Sequence, residues 1–170
     1  MVVATKAQFT PEEWNQILQS PMMAGIAISA AEPSGLLGLL KESMASGRAL
    51  LEAKSDPTAD ELIKAVVADF ETPEGRTKIR DSSRSMFAGS KPAEIKTKAI
   101  ESLRQVSTLL DAKAPNDAVA FKTWLRHIAQ SVAEAATEGG FLGIGGIVVS
   151  EAEKATLAEL STALSLPAKA

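Results

Sequence analysis

At 170 residues, with 45% hydrophobic side chains and a formal charge of −3, the chain is long enough to form one domain that buries about two-thirds of its unfolded surface without covalent staples. It has no cysteine, which excludes disulfides, thiolate nucleophiles and Cys-ligated zinc or iron–sulfur centres. One histidine and no tyrosine leave few side chains for acid–base work near neutral pH.

Met1 to Gln8 lack the apolar core of a signal peptide, and no apolar run reaches the length of a membrane span, so a cytoplasmic protein is expected. Thr10-Pro11-Glu12-Glu13 combines an N-cap hydroxyl, proline at the first helical position and a carboxylate that can close a capping box, which predicts a helix to about Gln19. Ser20-Pro21 opens a second, nearly all-apolar helix carrying Met22, Met23, Ile26 and Ala27, expected at the centre of the fold. Asp56-Pro57 predicts another start, ahead of the stripe Leu62, Ile63, Val66, Val67 and Phe70.

Thr72-Pro73 starts a helix to Ala88, on which Arg76, Arg80 and Arg84 recur every fourth residue as one basic ridge. Arginine pairs in a planar, bidentate way with carboxylate and phosphate, so this ridge is a candidate seat for an anion or acidic partner as well as a solvated or internally paired face. Ser90 or Lys91 ahead of Pro92 begins the next helix, with the stripe Ile95, Ala99, Leu103, Val106 and Leu110. Phe121, Leu125, Ile128, Val132 and Ala135 mark the one after it. His127 sits one position off this stripe and one turn from Trp124, which suits a boundary histidine packed beside the indole. Ser150 with Glu153 forms the capping box of the last helix.

Charge is unevenly placed. Residues 1–75 carry 5 basic and 11 acidic side chains, residues 76–104 carry 8 and 3, and residues 105–170 carry 5 and 7. The basic middle and acidic flanks suit complementary packing between helices, and nucleic acid is not an expected partner at this overall charge.

Two segments repeat. Ala30-Ala31-Glu32-Pro33-Ser34-Gly35-Leu36-Leu37-Gly38-Leu39 returns 105 positions later as Ala135-Ala136-Thr137-Glu138-Gly139-Gly140-Phe141-Leu142-Gly143-Ile144, each an alanine-rich helix end entering an apolar glycine loop. The pattern predicts an all-α single domain over 1–170, of seven to eight helices, with repeat units at roughly 20–55 and 121–166. Gly143, Gly145 and Gly146 lack the order of a phosphate-binding loop, so the apolar side chains Leu36, Leu37, Phe141, Leu142 and Ile144 either fold over the core or form a docking loop for a partner helix, a second copy or a membrane surface.

Ala135-Ala136-Thr137-Glu138-Gly139, then Val148-Val149-Ser150-Glu151-Ala152-Glu153-Lys154 with Leu157, Leu160 and Leu164, resembles the TerB-like family associated with tellurite resistance. The resemblance implies an all-helical fold of two related halves, a place in a bacterial stress-response or envelope-associated system, a membrane-associated or other protein partner, and a divalent-cation site such as Ca²⁺ using Glu138, Glu151 and Glu153. The family's Asp-Gly stands here as Glu138-Gly139, and the first repeat has Pro33-Ser34 at that place. The expected function is therefore a non-enzymatic binding or scaffold role, with a small-ligand or divalent-cation-binding helical module as the alternative and no resident cofactor beyond such a cation.

Overall fold

The computed structural model describes residues 4–31, 47–137 and 149–167. The chain is all-α. A short 3₁₀ turn at Lys6–Gln8 precedes α1 (Pro11–Ser29); α2 occupies 47–55, followed by α3 (Glu61–Phe70), α4 (Pro73–Phe87), α5 (Pro92–Lys113), α6 (Pro115–Thr137) and α7 (Glu151–Ala163). No strand occurs among the described residues.

The caps at Thr10, Thr72 and Ser150 act as their sequence positions predict. Thr10 Oγ1 accepts the Glu13 N–H while the Glu13 carboxylate accepts the Thr10 N–H at 2.8 Å. Phe9 and Trp14 bracket this cap, with ring centroids 6.0 Å apart, and form a hydrophobic staple that fixes the angle at which the chain enters α1. Ser150 and Glu153 build the same box at α7, and Thr72 caps α4 through the Gly75 N–H.

Two predicted boundaries are corrected. The helix from Thr10 does not stop at Gln19: α1 runs unbroken to Ser29 with Pro21 inside it. Proline removes the N–H that would have served the Ile17 carbonyl, and the buried Ser20 hydroxyl donates to that carbonyl instead, at 2.7 Å. Ser20 is thus the repair of the proline site and not the cap of a new helix. Ser20→Ala should cost about 1–3 kcal/mol, since it leaves a buried acceptor without either donor; urea denaturation of the two proteins measures this. The second correction is at Asp56-Pro57. Asp56 Oδ1 accepts both the Thr58 N–H and its hydroxyl, closing a local turn, and α3 begins four residues later under Asp60, whose carboxylate accepts the Leu62 N–H at 2.9 Å.

Helix α1 packs against α3, α4, α5, α6 and α7, and so is the central element that its apolar second half predicts. Its Met23, Ala24, Ala27 and Ile28 are buried, as are Ala99, Leu103, Val106 and Leu110 of α5, Phe121, Leu125, Ile128 and Val132 of α6, and Leu157 and Leu160 of α7. The 105-residue offset of the repeat places α1 within the span of α6 and α2 within that of α7. Under it Met23, Ala24, Ala27 and Ile28 correspond to Ile128, Ala129, Val132 and Ala133, all buried.

Candidate functional site

The basic ridge is present as a flank of α4, which buries only Gly75 and Ile79. Its three arginines differ in what they touch. Arg76 donates to the Glu71 carbonyl at 2.7 Å, closing the corner between α3 and α4; Arg80 lies 3.3 Å from its neighbour Asp81; Arg84 is exposed. Elsewhere the basic middle reaches the acidic flanks as its charge pattern suggests, with Lys96 of α5 on Glu159 of α7 at 2.9 Å.

The two described carboxylates of the implied cation site have other employment. Glu153 is buried and accepts the Ser150 N–H at 2.9 Å, while Glu151 is exposed and pairs with Lys154 at 2.7 Å. They have different partners at the start of α7. Glu138 lies outside the described residues, as do the docking-loop candidates Leu36, Leu37, Phe141, Leu142 and Ile144. His127 is exposed, with Nε2 3.8 Å from the Glu52 carboxylate across the α2–α6 contact, while Trp124 is buried edge-on to Phe121 at 5.4 Å.

Three features escaped the sequence reading. The first is a groove of about 400 Å³ between α2 and α3, lined by Leu50, Leu51, Val67 and Phe70 and flanked by Arg48 and Glu71. Leu51 is 61% exposed there, although α3 turns Leu62, Ile63, Val66 and Val67 into the core. The second is Asp69, whose carboxylate receives Lys6 Nζ at 2.7 Å and Trp14 Nε1 at 2.6 Å. Burial pushes this carboxyl up, and the hydrogen bonds from Lys6 and Trp14, with the charges of Lys6 and Lys78, more than offset it, so Asp69 is held below the usual aspartate range.

The third is a meeting of two carboxyl groups. Asp117, in the first turn of α6, is buried and accepts the Ala4 N–H at 3.1 Å, and its charge acts on Asp60, the cap of α3. Burial, followed by the proximity of Asp117, raises Asp60 against the lowering effect of the Leu62 and Ile63 amides. The available sequence signal was only that Asp60 and Asp117 each sit at a helix N-terminus, where carboxylates complement the dipole.

Comparison with protein-family models, with curated proteins and with solved structures gives no match. No helix among the described residues is long and apolar enough to cross a membrane.

Proposed function

We propose that this chain is a non-enzymatic binding or scaffold module that receives an amphipathic partner helix in the groove between α2 and α3. The observation that carries the reading is the exposed Leu51 beside Phe70 and Val67, an apolar strip whose lining also includes Arg48 and Glu71. A helix presenting apolar residues at i, i+3 and i+4 fills such a strip, and an acidic residue on its rim would compete with Glu52 for Arg48, whose side chain is 83% exposed and meets Glu52 at 3.3 Å. The place of the module in a bacterial stress-response or envelope-associated system rests on the TerB-like resemblance of the α6–α7 region. The alternative, a small apolar ligand, is supported by the same groove, whose volume lies within the range of small-molecule sites.

The absence of cysteine makes the test clean. Leu51→Cys carries a benzophenone maleimide into the groove, and Val119→Cys places the same group at an equally exposed apolar position on α6 (Val119 is 69% exposed). Irradiation in cell extract should give a defined protein adduct at position 51 and none at 119. Unlabelled wild-type protein should suppress it, and unlabelled Phe70→Glu protein should not. Equal labelling at both positions, or no adduct, overturns the docking reading; an adduct carrying a small apolar molecule selects the ligand-binding alternative.

A further inference from the structure

Without cysteine, the sulfur chemistry of this chain is that of methionine, and two adjacent methionines of α1 stand in different settings. Met23 is completely buried in the core. Met22 is half-buried where α1 meets α4, and its Sδ accepts the Ser83 hydroxyl at 3.3 Å. The same face of α1, read at i, i+4 and i+7, carries Asn15, Gln19 and Met22. Asn15 Nδ2 donates to Ser82 Oγ at 2.8 Å, so two consecutive serines of α4 are bonded to this face. Two buried acceptors on it, Asn15 Oδ1 and Gln19 Oε1, find no donor among the described residues, and Gln19 is only 4% exposed.

We propose that Met22 is an oxidation site at which a peroxide converts the thioether to the sulfoxide, and that the added oxygen loosens α4 from α1. The lone pair of Sδ that Ser83 leaves free attacks a hydrogen peroxide oxygen. The S–O bond forms as the O–O bond breaks, and the departing hydroxide takes the proton left on the transferred oxygen and leaves as water; sulfur is oxidised and the peroxide reduced. A thioether is a weak acceptor that packs against apolar neighbours, whereas the sulfoxide is polar. Its oxygen emerges away from the Ser83 hydroxyl, on a face where two amide oxygens already lack donors. A third acceptor competes for the same few donors, and water satisfies it only where α4 gives way.

Helix α4 is the element built to give way. It buries only Gly75 and Ile79, so the contacts of Ser82 and Ser83 are a large part of its hold on α1. Its ends are fastened separately. Thr72 and Arg76 secure the corner with α3, and Lys98 of α5 reaches the Met86 carbonyl at 3.0 Å and the Ser90 hydroxyl at 2.7 Å, across the turn where Gly89 has φ +70°. Oxidation therefore loosens the middle and later part of α4 while the chain on either side stays tethered. This helix carries Arg80 and Arg84, so the state of Met22 sets how firmly the basic ridge is held, independently of the groove between α2 and α3.

The test treats the full chain, labelled with methyl-¹³C methionine, with hydrogen peroxide, and follows each methionine methyl by NMR, with Met22→Leu assigning the Met22 signal. Met22 should convert to the sulfoxide while Met23 stays reduced. Hydrogen exchange on the oxidised protein should show the α4 amides losing protection by about tenfold, with α5 and α6 unchanged, and methionine sulfoxide reductase should restore the protection. Met22→Leu keeps the volume and removes the oxidisable sulfur, so peroxide should leave α4 protection in this variant where it was before treatment. A Met22 that stays reduced while Met86 is converted overturns the proposal, as does a fully oxidised Met22 with unchanged α4 exchange. The same peroxide-dependent loss in Met22→Leu overturns it independently, by placing the cause at another methionine.

Discussion

Leu125→Ala and Ile128→Ala should each destabilise the protein by about 2–5 kcal/mol. Both side chains are completely buried on α6, which packs against α1, α5 and α7, so neither cavity opens to solvent and relaxation must come from displacement of whole helices. The cost has two parts, the lost transfer of the removed methyl and methylene groups and the void left among neighbours that cannot close on it. Against a total stability of about 5–15 kcal/mol for a domain of this kind, either change is a large fraction. Urea unfolding followed by tryptophan fluorescence should show lower midpoints with unchanged slopes, because the surface exposed on unfolding is nearly the same. A cost near zero for both would place the Phe121–Ala135 stripe at a mobile or solvated boundary and remove the packing basis of the fold.

That stripe was readable because its spacing is local. So were the caps at Thr10, Thr72 and Ser150, where the donor and acceptor lie three residues apart and the sequence contains the whole motif. Pro21 and Asp56 were misread for a common reason: each has two local solutions. Proline after serine starts a helix in one setting, and in another the same serine satisfies the carbonyl that the proline leaves free; burial of Ser20 and its neighbours selects the second. Asp56 and Asp60 both offer a carboxylate to a following N–H, and Asp56 spends its carboxylate on Thr58.

The sites were less legible because they depend on distance across the fold. Asp60 and Asp117 are unremarkable at two helix starts until α3 and α6 bring them together. Leu51 and Phe70 belong to separate helices, and Phe70 continues a stripe whose earlier residues face the core. The basic ridge shows the converse. The four-residue spacing of Arg76, Arg80 and Arg84 was plain, but one of the three turns out to close the α3–α4 corner through the Glu71 carbonyl, a role that no spacing encodes.

The same corner yields the prediction in which the sign is most informative. Gly75→Ala places a methyl group in the first turn of α4, where intrinsic helix propensity favours alanine over glycine by about 1 kcal/mol. The structure demands the opposite result. A Cβ at position 75 would overlap the Asp69 carbonyl oxygen and stand 2.9 Å from the carbonyl carbon and 3.0 Å from Thr72 Oγ1. The obstacle is backbone, so no side-chain rotation relieves it. The corner must open, weakening the 2.7 Å bond from Thr72 Oγ1 to the Asp69 carbonyl, the cap from Thr72 to the Gly75 N–H, and the Arg76 bond to Glu71. Overpacking of this kind costs about 1–3 kcal/mol and a lost cap about 1 more, so a net destabilisation of about 1–3 kcal/mol remains after the propensity gain. Gly47→Ala is the control: nothing lies within 4 Å of the added Cβ, and the exchange should be neutral or stabilising by up to about 1 kcal/mol. Because Asp69 also holds Lys6 and Trp14, opening the corner should change the Trp14 environment in Gly75→Ala and leave it unchanged in Gly47→Ala, which tryptophan emission in the Trp124→Phe background would resolve. Equal stability changes in the two alanine variants would mean that α3 and α4 do not approach as closely as the Asp69–Gly75 contact requires.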